Sequence, residues 1–100
     1  MQGQLGGTWT FLTNHAHVLL AIQAEPDLRL RDIADRVGIT ERAAQRIVSD
    51  LETSGYLKVR KDGRRNVYQV QRGQRLRHPT ERHHRIGELL DVLSHRTSTS

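Results

Sequence analysis

The sequence predicts a mainly α-helical domain with a small β-hairpin: a three-helix core, the hairpin, and a C-terminal helix. Three observations carry this expectation. Residues 14–53 contain three stretches whose apolar residues recur with the helical period. Gly38 separates the second stretch from the third by a single turn. After Gly55 the period changes from 3.6 to 2, and two β-rich runs flank an Asp-Gly pair at 62–63.

Each element follows from its own residues. Trp9, Phe11 and Leu12 form an apolar cluster ahead of a first helix at about 14–24, which Thr13 caps and Pro26 stops. Val18, Leu19, Leu20 and Ile22 make that helix apolar nearly all round, as suits burial in the middle of a small domain. Leu28-Arg29-Leu30 reads as a short strand leading into a second helix at about 31–37. Leu30, Ile33, Ala34 and Val37 fit the i, i+3, i+4, i+7 template, although the helix start lacks a good cap. Asp32 in its first turn offsets this in part through the helix dipole.

Gly38 supplies a left-handed residue, and Thr40 caps a third helix at about 41–53. Its stripe is Ala44, Ile47, Val48 and Leu51. "YLKVR" and "NVYQV" then form the hairpin strands, with Tyr56, Leu57, Val59, Val67, Tyr68 and Val70 as packing residues. Pro79 and Thr80 introduce a last helix at about 81–94, with the stripe Ile86, Leu89, Leu90 and Leu93.

Bulk properties bound the function. One hundred residues make one small domain, and a hydrophobic fraction of 35% gives a modest core that pairing would help to stabilise. Without cysteine there is no disulfide framework, thiolate nucleophile or cysteine metal site. No apolar run approaches a membrane span, and MQGQLGG has neither the basic nor the apolar region of a secretory signal. A cytoplasmic protein is expected. Residues 58–77 carry eight cations against Asp62, a local charge of +7 that leaves −2 for the rest of the chain. Arginine outnumbers lysine 14 to 2, which suits phosphate and guanine contacts, although a GC-rich genome produces the same bias.

Two helices this close need a small side chain at their contact and a turn that tolerates positive φ. Ala34 and Gly38 meet these needs at helix-turn-helix spacing, with Ile33, Val37, Ile39, Ala44 and Ile47 at the apolar positions. With the basic hairpin directly behind, the chain resembles bacterial winged helix-turn-helix regulators of the MarR and ArsR type. The nearest likeness is to short regulators common in actinobacteria, through "WTFLTNHAHVLL", "VGITERAAQRIVSDLE", "GYLKVRKDGRRNVYQV" and "LRHP". The resemblance covers residues 8–93. It implies a homodimeric regulator of transcription, a repressor, that binds double-stranded DNA; the effector is unidentified.

On this resemblance the third helix is the recognition helix. With its stripe buried, a rotation of 100° per residue turns Arg42, Arg46 and Ser49 to the opposite face, with Gln45 beside them. Arginine pairs bidentately with guanine and glutamine with adenine. Thr40 caps the helix and is placed to reach a phosphate. Asp50 restrains Arg46 at i+4 spacing. Lys61, Arg64, Arg65 and Asn66 at the hairpin tip supply contacts to backbone or minor groove. Trp9, Phe11, Ile86, Leu89, Leu90 and Leu93 are the expected dimer interface, against a competing reading in which the last helix folds back on its own chain. Gly87 fits a site where another backbone approaches.

The corresponding division of the chain is a flexible N-terminus at 1–7, a DNA-binding domain at 8–77, a dimerisation helix within 78–94 and a disordered tail at 95–100. Alternatives come from six histidines. His84 with Glu88, and Asp91 with His95, stand at i, i+4 spacing and could share a metal across a dimer, as in an ArsR-type sensor. The absence of cysteine and of a tight histidine set on one helix face weighs against it, so no metal or other cofactor is assigned. A winged-helix module that binds RNA or protein is the other alternative. No nucleophile motif, Gly-rich phosphate loop or paired-carboxylate arrangement points to an enzyme.

Overall fold

The computed structural model describes residues 9–94, so the expectations for 1–7, 95–100 and His95 lie outside it. Helix α1 spans Asn14–Ala24. The Thr13 hydroxyl accepts from the Ala16 N–H at 3.3 Å, as a cap should. Val18, Leu19, Ala21 and Ile22 are buried. Helix α2 spans Leu30–Val37. The strand expected at 28–30 does not form. Leu28 donates to the Glu25 carbonyl at 3.2 Å, and the Arg29 N–H goes to the Asp32 carboxylate at 3.3 Å. These local bonds give the helix a working start and leave no backbone ladder for a strand partner.

At the end of α2 the Gly38 and Ile39 amides both donate to the Ala34 carbonyl, at 2.8 and 3.0 Å. Gly38 has φ +85°. An L side chain there would be strained, so glycine suits the turn. Helix α3, Glu41–Thr53, starts on Thr40, whose hydroxyl accepts from the Ala43 N–H at 3.0 Å. It ends in a Schellman pattern, with Tyr56 N–H on the Leu51 carbonyl and Gly55 N–H on that of Glu52.

Strands β1 (Leu57–Asp62) and β2 (Arg65–Val70) pair antiparallel, from Leu57 opposite Val70 to Asp62 opposite Arg65. Only Gly63 and Arg64 lie between them. Gly63 has φ +67° and Arg64 does not share it, as in a II′ turn. The strands therefore run closer to the tip than the sequence suggests, and Lys61, Asp62, Arg65 and Asn66 are ladder residues. Strand alternation puts Leu57, Val59, Tyr68 and Val70 on one face, which packs on the helices.

The last helix, α4, spans Ile86–Ser94 rather than 81–94. Its expected first turn is pulled into another pairing. Arg75 and Arg85 form an isolated bridge, Leu76 donates to the His84 carbonyl at 3.0 Å and Ile86 to that of Gln74 at 2.8 Å. Backbone groups engaged across 72–87 cannot also close helical turns at 81–85. Gly87 does meet another backbone, but one from its own chain. Its N–H donates to the Arg72 carbonyl at 3.0 Å, and an added Cβ would lie 3.0 Å from that oxygen.

The core gathers residues from every element. Val18, Ile22, Ile33, Leu57 and Leu90 are its largest fully buried side chains. Ile86 and Leu90 belong to it, which corrects their expected place at a dimer interface. The hairpin and the two short helices α2 and α3 do not cover α1, which is apolar nearly all round, and α4 closes it. Accordingly, Leu90→Ala should lower the unfolding free energy by ~2–5 kcal/mol in urea denaturation. Leu93→Ala, at a side chain 44% exposed, should change it by less than ~1 kcal/mol.

Candidate nucleic-acid interface

Helix α3 buries Ala44, Ile47, Val48 and Leu51. The helical repeat then leaves Arg42, Gln45, Arg46 and Ser49 on the outward side, all exposed. Among the described residues neither arginine makes an ion pair, and none of the four side chains is hydrogen-bonded within the chain. Two guanidinium forks and an amide are thus free to meet a partner. Thr40 is exposed at the helix start, with its hydroxyl on the cap.

Asp50 does not restrain Arg46. Its carboxylate is hydrogen-bonded to His15 Nε2 at 2.9 Å, joining the far half of α3 to the first turn of α1. The expected i, i+4 pair competes with a partner 35 residues away, and the tertiary contact wins.

The wing divides by parity. Lys61 opposes Asn66 on the ribbon face that carries Tyr68 further down, whereas Asp62 opposes Arg65 on the other. Lys61, Arg64, Arg65 and Asn66 are all exposed. Arg65 has a partner, donating to the Asp27 carbonyl in the turn between α1 and α2. Lys61, Arg64 and Asn66 have none among the described side-chain contacts.

The basic run at 58–77 also splits. Arg72 binds the Asp91 carboxylate and the Gln23 amide oxygen, each at 2.8 Å, and so clamps α4 to α1. Arg75 donates to the carbonyls of Arg82 and His83, both at 3.4 Å, and Arg77 to the Ser54 hydroxyl at 3.3 Å. These three cations stitch the C-terminal segment in place. The sequence places them in one stretch with Lys58, Arg60, Lys61 and Arg64, and only the distant partners tell the two groups apart.

Trp9 and Phe11 stack edge to face, centroids 4.9 Å apart, and remain 67% and 92% exposed. Phe11 borders a half-open groove of about 560 Å³ between the start of α1, the end of α3 and residues 76–89. Leu12, Leu51 and Leu89 line it, with Arg77 and the His15–Asp50 pair among its polar groups. Leu89 is half-buried, whereas Leu93 and Val92 face outward. The expected interface set is therefore divided between core and surface, and Val92 is an exposed apolar residue that the stripe reading passed over.

Among the described residues no three His, Asp or Glu side chains converge as metal ligands would. His84 Nδ1 is hydrogen-bonded to Glu88 at 2.6 Å, and Asp91 is engaged by Arg72. That His84 hydrogen bond, with one from the Arg85 N–H, holds the Glu88 carboxyl below its ordinary value of 4.5. Burial pushes the Tyr56 phenol up, with Arg77 opposing; its O–H donates to the Arg75 carbonyl at 2.6 Å.

A helix-turn-helix with a free polar row on its second helix, followed at once by a basic β-ribbon, defines a winged helix-turn-helix protein. Residues 10–65 match the sequence model of the MarR family, and the chain belongs to that family. Among solved structures it is similar to the zinc-dependent MarR family transcriptional regulator AdcR in its Zn(II)-bound state. The two share 25% identity with a TM-score of 0.47, over 65% of this chain and 47% of that one. The chain thus spans about half the length of that regulator. No curated protein matches it.

Because Glu88 is held below 4.5, its contribution to stability is complete above that value and is lost as pH falls through the lowered folded value. Wild-type protein should therefore be more stable than Glu88→Gln at pH values well above 4.5, with the gap closing below it. Urea midpoints measured across that range check this.

Proposed function

We propose that the chain is a transcriptional regulator that binds double-stranded DNA sequence-specifically, as a homodimer and a repressor, in the cytoplasm. Helix α3, with Thr40 at its start, enters the major groove, and the basic wing at 60–66 lies on the backbone or in the minor groove. The observation that carries this reading is the exposed row of Arg42, Gln45, Arg46 and Ser49, which has no side-chain partner among the described residues and stands opposite a buried stripe. Membership of the MarR family supports it. Residues 8–77 form the DNA-reading part. The surface for a second copy combines Trp9 and Phe11 with Leu93, since α4 spends Ile86 and Leu90 on its own core. A bound dimer represses by occupying its operator. No enzymatic activity is proposed.

Selection of bound sequences from a random duplex pool tests DNA binding, specificity and half-site symmetry together. Preference for RNA over duplex in a competition assay would overturn the reading. On the selected site Arg46→Ala should cost ~1–3 kcal/mol and relax the preferred sequence. Equal loss on specific and random DNA would mean that Arg46 touches only backbone.

Dimerisation has its own test, in sedimentation and circular dichroism. Trp9→Ala combined with Leu93→Asp should give a folded monomer with weakened operator binding, because isologous pairing loses both halves of the patch at once. Wild-type protein that sediments as a monomer would overturn the dimer.

A further inference from the structure

We propose that Arg65 is a positioning residue that pins the wing to the turn between α1 and α2, and that Arg64 is the cation the wing tip offers to a phosphate. The inference rests on the DNA-binding reading above and divides the labour between two adjacent arginines.

The two sit at different places in the ribbon. Arg64 is the second of the two turn residues, exposed and without a partner among the described side-chain contacts. Arg65 is the first ladder residue of β2, opposite Asp62. Its guanidinium takes neither the Asp62 carboxylate nor any other acid. It reaches the backbone carbonyl of Asp27, 38 residues earlier.

Asp27 belongs to a turn that is tied on its other side. Arg36 of α2 pairs with Glu25, Leu28 donates to the Glu25 carbonyl at 3.2 Å, and the Arg29 N–H is held by Asp32 at 3.3 Å. The wing tip is thereby connected through the turn to α2, and α2 is joined to α3 by the hydrogen bonds at Gly38. The restraint is needed because a two-stranded ribbon is marginal alone. Leu57 and Tyr68 anchor its root in the core, but the distal pairs Lys61–Asn66 and Asp62–Arg65 bury no side chain. A guanidinium held on a neutral carbonyl orders the tip without consuming a negative charge that would repel DNA.

Two readouts separate the roles. The salt dependence of binding counts phosphates neutralised, at about 0.9 in slope for each. Amide hydrogen exchange in the free protein reports wing order with no DNA present. Binding to the selected duplex is measured for wild type, Arg64→Ala, Arg65→Ala and Arg65→Gln, the last keeping an N–H donor without the charge. Arg64→Ala should lower the slope by about one and leave exchange at 61–66 unchanged. Arg65→Ala should keep the wild-type slope, weaken binding by about three- to tenfold through the cost of ordering the wing, and speed exchange at 61–66. Arg65→Gln should recover part of both losses.

A slope that falls by about one in Arg65→Ala, or unchanged exchange in that variant, would overturn the proposal. Wild-type protein that binds no duplex would overturn the DNA-binding reading and Arg64's part with it. The exchange comparison on free protein would then still decide whether Arg65 holds the wing.

Discussion

The Ala34 carbonyl accepts two amides, from Gly38 and Ile39, and this forked hydrogen bond fixes the angle at which α3 leaves α2. The geometry needs φ +85° at residue 38, and the sequence supplies glycine. Thr40 then caps α3 on the next turn, so the register of the helix is set within two residues of the fork. Once Ala44, Ile47, Val48 and Leu51 are drawn into the core, the helical repeat leaves one direction for Arg42, Gln45 and Arg46. A change of even one residue in the length of that turn would rotate the outward row by about 100° and bring an arginine toward the core.

What was legible in the sequence is what local physics decides. The caps at Thr13 and Thr40, the bounds of α1 and α3, and the hairpin all follow from interactions within a few residues, and they stand where the pattern puts them. The outward row was legible for the same reason, since one buried stripe dictates it. The C-terminal segment was not. Its residues 81–85 have helical spacing with Ile86 and Leu89, but the His84 carbonyl accepts from Leu76 and the Ile86 amide donates to Gln74, a pairing that no local signal announces. The basic run failed similarly: eight cations look alike in sequence, and Asp91, Gln23 and Ser54 claim two of them from a distance. The stripe on α4 is apolar as its spacing predicts, yet its competing fates, core or partner, both satisfy the same pattern.

The groups that hold the fold together are separate from the exposed cations of this chain. Among the described residues no charged side chain is buried, and the ion pairs join partners that are each about half exposed. Such pairs contribute ~0–1 kcal/mol each. The fold is therefore held by apolar contacts around Ile22, Ile33, Leu57 and Leu90, and the surface charge is free to serve other ends. That Arg42, Arg46 and Arg64 have no partner among the described residues costs the folded state little, because water solvates their guanidinium groups.

The surface ties that do exist are not scattered at random. His15–Asp50 fastens the far half of α3 to α1, Arg72 fastens α4 to α1, and Arg65 fastens the wing to the turn that leads into α2. Each joins elements that are far apart in sequence. Individually they are worth little in stability, but a weak contact at the end of a lever has its main effect on orientation. A tilt of α3 by a few degrees about its buried stripe moves the tip of Arg42 or Arg46 by far more than it moves Ala44. Exposed contacts at these three places therefore set the orientation of α3, α4 and the wing, while the core beneath them holds the fold together.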